Sequence, residues 1–304
     1  MRSSRNRWQL IATFVTAGAV IVGCTSKTEP SPVSPTTPAS AQIPNWPDSL
    51  GDFRFHWAAA PGIDLTTGPA VPLRAYLESY DLVDYTGDMS AVYPGFLRAT
   101  PENGPQQTPG YPIELGSIRP EVDAKPSATA GSSAHPGLYG YAPFYVSSIE
   151  PIGDAYRAFV CTSEYSVFKR DANDESRYVS IITRSDSAPP PNADRYGIIV
   201  WRVEFTKNDS RVPPNGPAEP LEPQRGPAPA PTRDVFGPWF VTAASYTLWG
   251  NMGDAQDVGP PELQQQCADN MPDDAAARRA MYTGAHDAPP PHGDAIPGWP
   301  AEPK

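Results

Sequence analysis

The sequence predicts an α+β fold, with helices packed on one face of a curved, mostly antiparallel sheet. Helical patterns come early in the chain and strand patterns come late, which favours this class over an alternating α/β fold. The 304 residues include 40 prolines, and the prolines cluster, so they mark segments rather than interrupt a core. We expect a single α+β domain over residues 45–287 with a Pro-rich loop at 208–233, followed by a frayed Pro-rich tail over 288–304.

The first elements predicted are a strand and two helical segments. Phe53–Trp57 alternates apolar and polar side chains, as a half-buried strand does. A helix with Pro72 in its first turn follows, because four apolar residues recur at i, i+3, i+4 and i+7: Leu73, Tyr76, Leu77 and Tyr80. A second helical pattern, Met89–Leu97, is interrupted by a Pro-Gly pair, which predicts a kink or two short pieces.

Strands dominate the later part of the chain. Residues 100–143 show no periodicity and are predicted to be loops. Four strands are then expected, at Tyr156–Arg170, 177–184, 196–207 and Trp239–Trp249. In the third of these, four residues share an apolar face: Ile199, Trp201, Val203 and Phe205. Short helices are predicted at Leu263–Cys267 and Asp274–Met281.

This order of elements is similar to that of the cone-shaped NTF2-like fold, a resemblance of order alone without a motif. It implies a pocket on one face of the sheet, and such pockets often take apolar ligands. Trp201, Trp239 and Trp249 all fall on predicted strands and are the candidate ligand-binding residues of an apolar cavity without a catalytic dyad. Packing in the core is the alternative role for the same three side chains.

The amino-terminal residues indicate export. Three arginines precede an apolar stretch of 13 residues, 10–22, which is short for a spanning helix. The stretch ends in Ile21-Val22-Gly23-Cys24, which resembles a bacterial lipobox. The resemblance implies that residues 1–23 are a signal peptide and that Cys24 carries a diacylglyceryl group, which holds the protein at the extracytoplasmic face of the cell membrane. An ordinary secreted protein with a chance cysteine is the alternative.

Residues 24–44 are predicted to be a lipidated cysteine and a disordered tether. Eight Ser/Thr and five Pro residues in 25–44 cannot bury a core. Loss of residues 1–23 removes three of 23 basic residues and none of 34 acidic ones, leaving a formal net charge of −14. This acidic balance argues against binding of nucleic acid, or of anionic lipid through charge. Of the exported cysteines, Cys161 and Cys267 are expected to form a disulfide, with two buried thiols as the alternative.

No catalytic or metal-binding motif is present: G-x-S-x-G, H-E-x-x-H, the Walker loop and C-x-x-C are all missing. The four histidines, His56, His135, His286 and His292, have no readable partners. Asp81, Asp84 and Asp88 are spaced by three and four and suggest either a cation site or a solvated helix end. We therefore expect no enzyme activity, no cofactor and no metal.

The chain resembles uncharacterised lipoproteins of mycobacteria and their actinobacterial relatives. The resemblance is carried by the lipobox and by two further stretches, AAPGIDLTTGPAVPLRAYLESY and SYTLWGN. The resemblance covers much of residues 45–285 and brings no activity with it. The sequence therefore favours a lipid-anchored, non-catalytic envelope protein that binds a partner protein or an envelope lipid. An enzyme with an NTF2-like pocket and a structural envelope component are the alternatives.

The lipobox interpretation predicts that Cys24→Ala blocks lipidation, because the thiol is the group that takes the diacylglyceryl chain. The variant should keep its signal peptide and lose the lipid-dependent mobility shift in electrophoresis. A Cys24→Ala protein that matures and fractionates with membranes as the wild type does would contradict the interpretation.

Overall fold

The structure is a computed structural model that describes residues 44–105, 108–122, 137–184, 192–213 and 216–301. The predicted signal peptide, Cys24, most of the tether and His135 lie outside these ranges. Ala41–Lys304 forms one compact unit. Within the described ranges, no helix is both long enough and apolar enough to cross a bilayer.

The observed elements confirm the α+β class. The strands are β1 Asp52–Ala59, β2 Tyr139–Ile152, β3 Ala155–Ser163, β4 Val167–Arg170, β5 Tyr178–Ser180, β6 Ile198–Thr206, β7 Phe240–Ser245, β8 Leu248–Trp249 and β9 Gln256–Asp257. The helices are α1 Ala70–Thr86, α2 Phe96–Ala99, α3 Pro261–Asp269 and α4 Ala275–Tyr282. Single 3-10 turns occupy Asp48–Leu50, Met89–Ala91, Ile113–Leu115 and Ala193–Arg195.

Seven strands form one curled sheet. Six of them follow the order β5-β4-β2-β3-β6-β7 with antiparallel pairing, and β1 pairs with β2 in parallel. The register of β2 on β3 shifts between Val146 and Ser148, and that of β6 on β7 shifts between Glu204 and Phe205. Such bulges bend a strand and increase its twist, which explains why the sheet curls into a half-barrel.

Strand β2 begins inside a region that the sequence predicts to be loop. Its first residues include Gly140 and Pro143, which hide the strand pattern. Gly140 has φ +87°, and a Cβ there would lie 2.2 Å from the carbonyl oxygen of Ser166. Only glycine allows this close crossing of β2 by the turn that separates β3 from β4. The same turn divides the predicted strand Tyr156–Arg170 in two.

The two faces of the sheet carry separate cores. On one face, Trp201, Val203 and Phe205 of β6 are buried in the main core with residues of α1. Alternate residues of β6 point to the opposite face, where the short helices α3 and α4 cover a second core. There the predicted disulfide is present: Cys161 of β3 is bonded to Cys267 of α3, with their Cα atoms 5.4 Å apart. A bond that closes about 100 residues contributes up to about 4.7 kcal/mol to stability.

The carboxy-terminal segment is ordered through residue 301, and the prediction of a frayed tail from residue 288 is wrong there. Trp299 is 1% exposed, and its backbone pairs with Ala228 of the Pro-rich loop. Ile296 exchanges backbone hydrogen bonds with β1, along an edge that would otherwise be open. Proline-rich composition misled the prediction, because the two residues that anchor the segment are isolated among prolines and glycines.

A buried ion pair explains what fixes that segment. Arg74 and Glu78, one turn apart on α1, are both buried, with Nε of Arg74 3.8 Å from Oε1 of Glu78. Three side chains donate hydrogen bonds to the Glu78 carboxylate at 2.7–2.8 Å: Trp57, Tyr93 and Trp299. Burial raises the pKa of Glu78, and Arg74 and these donors oppose that shift. Because all three groups donate, the carboxylate acts as an acceptor only, as an ionised group does.

Glu78→Gln should destabilise the fold by about 3–5 kcal/mol, because it leaves Arg74 as an uncompensated buried charge. Chemical denaturation at pH 7 should show the loss as a lower midpoint. Glu222→Gln, which removes an exposed acid from the Pro-rich loop, is the control and should change stability by less than about 0.5 kcal/mol. Equal midpoints for the two variants would mean that the buried pair does not hold the fold together.

Candidate functional site

A small cleft lies where the carboxy-terminal half of α1 crosses the ends of β3 and β6. Asp81 and Asp84 are three residues apart on α1 and therefore lie on one side of the helix. The cleft has a volume of 180 Å³. Its lining comprises Asp81, Asp84, Thr162, Ser163, Glu164, Ile199, Trp201 and Tyr246.

Aromatic side chains form one wall of the cleft. The ring of Trp201 lies 4.8 Å from that of Tyr80 in an edge-to-face arrangement and 4.7 Å from that of Tyr246. Trp201 is 4% exposed and is fixed by these neighbours, whereas Tyr246 is 43% exposed and faces solvent at the mouth. The wall is therefore rigid at its base and open at its rim.

Three carboxyl groups face this wall. Burial raises the pKa of Asp81 well above its ordinary value, and the charges of Glu164 and Asp84 raise it further. Burial and Glu164 raise the pKa of Asp84 to about 7, and burial raises that of Glu164. None of the residues that line the cleft is basic, and all of them belong to the described part of the chain. The three acids therefore repel one another without a compensating cation.

The hydroxyl of Tyr85 completes this polar group. Its oxygen is buried beside Asp81 and Glu164, and hydrogen bonding with Tyr85 is among the influences on the pKa values of these two acids. Burial raises the pKa of Tyr85 first of all, and the neighbouring charges of Asp81 and Glu164 add to the shift.

The chemistry of the cleft suits a cation rather than a hydrocarbon. Closely spaced carboxylates in a partly desolvated site attract positive charge, and an aromatic face does the same. Among the described residues, no three His, Cys, Asp or Glu side chains are placed to hold a metal ion together. Acids spread along a cleft of this size instead match an organic cation, whose charge and hydrogen-bond donors are distributed over several atoms.

The lining corrects the prediction of an apolar cavity beside Trp201. Of the three acids spaced along the end of α1, Asp81 and Asp84 face the cleft, and Asp88 instead accepts a hydrogen bond from the backbone of Ser90. The sequence did not single out Glu164, because it lies inside a stretch predicted as one continuous strand. It follows β3 directly, so the break between β3 and β4 is the signal that could have drawn attention to it.

The structure does not bring the three candidate tryptophans together. Trp201 lines the cleft. Trp239 is buried against Phe205 and donates from Nε1 to Glu219 at 3.2 Å. Trp249 lies over the guanidinium of Arg202, 3.7 Å from it, on the opposite face of the sheet. Only the first of the three belongs to the candidate site.

The described histidines lie away from the cleft. His56 stacks on Tyr141, and its Nε2 lies 2.7 Å from the carbonyl oxygen of His292. Burial is the main cause of its lowered pKa. His286 packs edge-on against Phe168, and its backbone pairs with Tyr178. These contacts are structural and place no imidazole near the carboxyl groups.

Asp84→Asn should stabilise the protein in a pH-dependent way. With a folded-state pKa of about 7 against an ordinary 3.8, the native state binds this proton more tightly than the unfolded state. Stability is therefore lost as pH rises from about 4 to 7 and stays low above that. We expect the variant to gain about 1 kcal/mol at pH 8, after allowance for solvent screening, or about 2–4 °C in Tm.

Thermal scans at pH 4 and pH 8 measure this difference, and Glu222→Gln is again the control. The gain should be much smaller at pH 4, where Asp84 is protonated in the folded state and about half protonated in the unfolded state. An equal Tm for Asp84→Asn and wild type at pH 8 would contradict the raised pKa.

No protein-family model matches the chain, and neither a curated protein nor a solved structure is similar to it. The likeness of element order to the NTF2-like fold therefore stays a prediction. The residues of the carboxylate cleft are therefore the main indication of what the protein binds.

Proposed function

We propose that this protein is a lipid-anchored, non-catalytic protein of the extracytoplasmic face of the cell membrane, and that it binds a positively charged ligand in the cleft beside Trp201. The anchor in this proposal is Cys24 of the lipobox. The observation that carries the binding function is the placement of three carboxyl groups against an aromatic wall, with no basic side chain in the lining.

The energetics of the cleft support a cationic ligand. A positive group between Asp81, Asp84 and Glu164 would relieve their mutual repulsion and lower their raised pKa values. Binding would then release protons near neutral pH, because Asp84, whose pKa is about 7 in the free protein, would ionise in the complex. A hydrocarbon ligand would instead desolvate the acids without compensation, which disfavours an envelope lipid chain as the occupant.

An acid–base enzyme is the second candidate function, and one observation favours it. A carboxyl group with a pKa of about 7, as at Asp84, is suited to exchange protons at neutral pH. The cleft holds hydroxyl groups as well, but that of Ser163 already donates to the carbonyl of Gly197 at 2.7 Å. No histidine or cysteine lines the described cleft, and binding accounts for the same residues.

The binding proposal predicts capture of a simple organic cation. n-Butylammonium and its uncharged analogue n-butanol should be compared by saturation-transfer NMR with the lipidated protein in detergent. At pH 8 the ammonium should bind with a Kd of about millimolar, as expected for so few atoms, and the alcohol should not. Binding should weaken several-fold at pH 5, where Asp84, with a pKa of about 7, is protonated.

Asp81→Asn with Glu164→Gln should abolish this binding, and Glu222→Gln should leave it unchanged. Calorimetry in two buffers of different ionisation enthalpy should detect protons released on binding at pH 7. Equal binding of the ammonium and the alcohol, or no effect of the double substitution, would refute the proposal.

A further inference from the structure

The molecule uses one combination of groups twice to hold its own arginines. Arg202 lies 3.7 Å from the ring of Trp249 and donates to Glu204 at 2.6 Å. Arg74 lies 4.2 Å from the ring of Trp299 and pairs with Glu78. In both cases one indole face and one carboxylate together bind a planar guanidinium.

The cleft presents the same combination without an arginine of its own. Trp201 supplies the indole, Asp81 and Glu164 supply carboxylates, and no basic residue is among the lining residues that the structure describes. The buried hydroxyl of Tyr85 lies beside those acids. A guanidinium has five N–H donors in one plane, so it can pair with several of these acceptors at once.

The size of the cleft limits what can carry that guanidinium. Sites for drug-sized ligands usually measure about 300–1,000 Å³, and this cleft measures 180 Å³. It therefore has room for a single long side chain and not for a whole metabolite. The remainder of the ligand has to lie outside, on the surface around the mouth.

That surface is apolar on one side. Tyr246, which lines the cleft, is followed by the β8–β9 hairpin, where Leu248 and Met252 are 41% and 48% exposed. Three large apolar side chains within seven residues of one another, next to an acidic cleft, form a surface that we call the hairpin platform. Exposed apolar residues beside a polar pocket are typical of protein-binding sites.

We propose that the cleft receives an arginine side chain of a partner polypeptide, and that apolar residues flanking this arginine pack on the hairpin platform. The proposal rests on the cation-binding function proposed above and names its ligand. The acids pair with the guanidinium, the exposed ring of Tyr246 stacks on it above the base formed by Trp201, and Leu248 and Met252 contact the neighbouring side chains. Because this protein has a net negative charge, charge complementarity favours the binding of a basic segment of a partner.

The proposal can be tested by calorimetry with blocked pentapeptides and the lipidated protein in detergent at pH 8. The central triads of the four peptides are Leu-Arg-Leu, Leu-Lys-Leu, Leu-citrulline-Leu and Gly-Arg-Gly. Citrulline keeps the shape of arginine and lacks its charge. We expect Leu-Arg-Leu to bind at least tenfold more tightly than the citrulline peptide and several-fold more tightly than the other two. Leu248→Ser should weaken Leu-Arg-Leu several-fold and leave Gly-Arg-Gly unchanged.

Leu221→Ser is the matched control, since Leu221 is 96% exposed on the Pro-rich loop, and it should bind every peptide as the wild type does. Equal affinity for arginine and citrulline peptides would overturn the arginine assignment. If Leu248→Ser binds Leu-Arg-Leu as tightly as the wild type does, the hairpin platform does not contact the peptide. If n-butylammonium binds and no peptide does, this inference fails while the proposed function stands. If neither binds, both fail.

Discussion

The buried pair of Arg74 and Glu78 is the interaction on which the rest of the fold depends. Two charges have been removed from water inside one helix, and each needs partners from distant parts of the chain. Those partners are Trp57 of β1, Tyr93, carbonyl oxygens of residues 65, 224 and 297, and the indole of Trp299. Because an unpaired buried charge is so costly, the pair forces the first strand, the Pro-rich loop and the carboxy-terminal segment to meet at α1.

The same helix carries a stabilising site and a destabilising one. Its first half places the compensated pair in the core, and its second half presents Asp81 and Asp84 to the cleft, where the described lining residues include no cation to balance them. Natural proteins commonly give up stability at functional sites and recover it elsewhere. Here both sites lie within eleven residues, Arg74 to Asp84, so the rigid packing of the first half also fixes the geometry of the acids.

Patterns that depend on local alternation were predictable from the sequence. The faces of β6, the stripe on α1 and the pairing of the two cysteines follow from periodicity and from counting thiols. Strand β2 was not predictable, because Gly140 and Pro143 conceal it. The acidic character of the cleft was also hidden: Asp81 and Glu164 lie far apart in sequence, and only the path of α1 over the end of β3 brings them together.

The partners of the buried pair also determine the order in which the chain can fold. Trp299 lies 221 positions after Glu78, and Pro297 lies 223 after Arg74. Contacts between residues this far apart in sequence form late, because the entropy cost of closing the loop comes before the stabilisation that the contacts provide. Until the carboxy-terminal segment docks, Glu78 lacks the hydrogen bond from Trp299 and Arg74 lacks the carbonyl oxygen of Pro297. Docking of that segment therefore completes the set of partners that the two buried charges need.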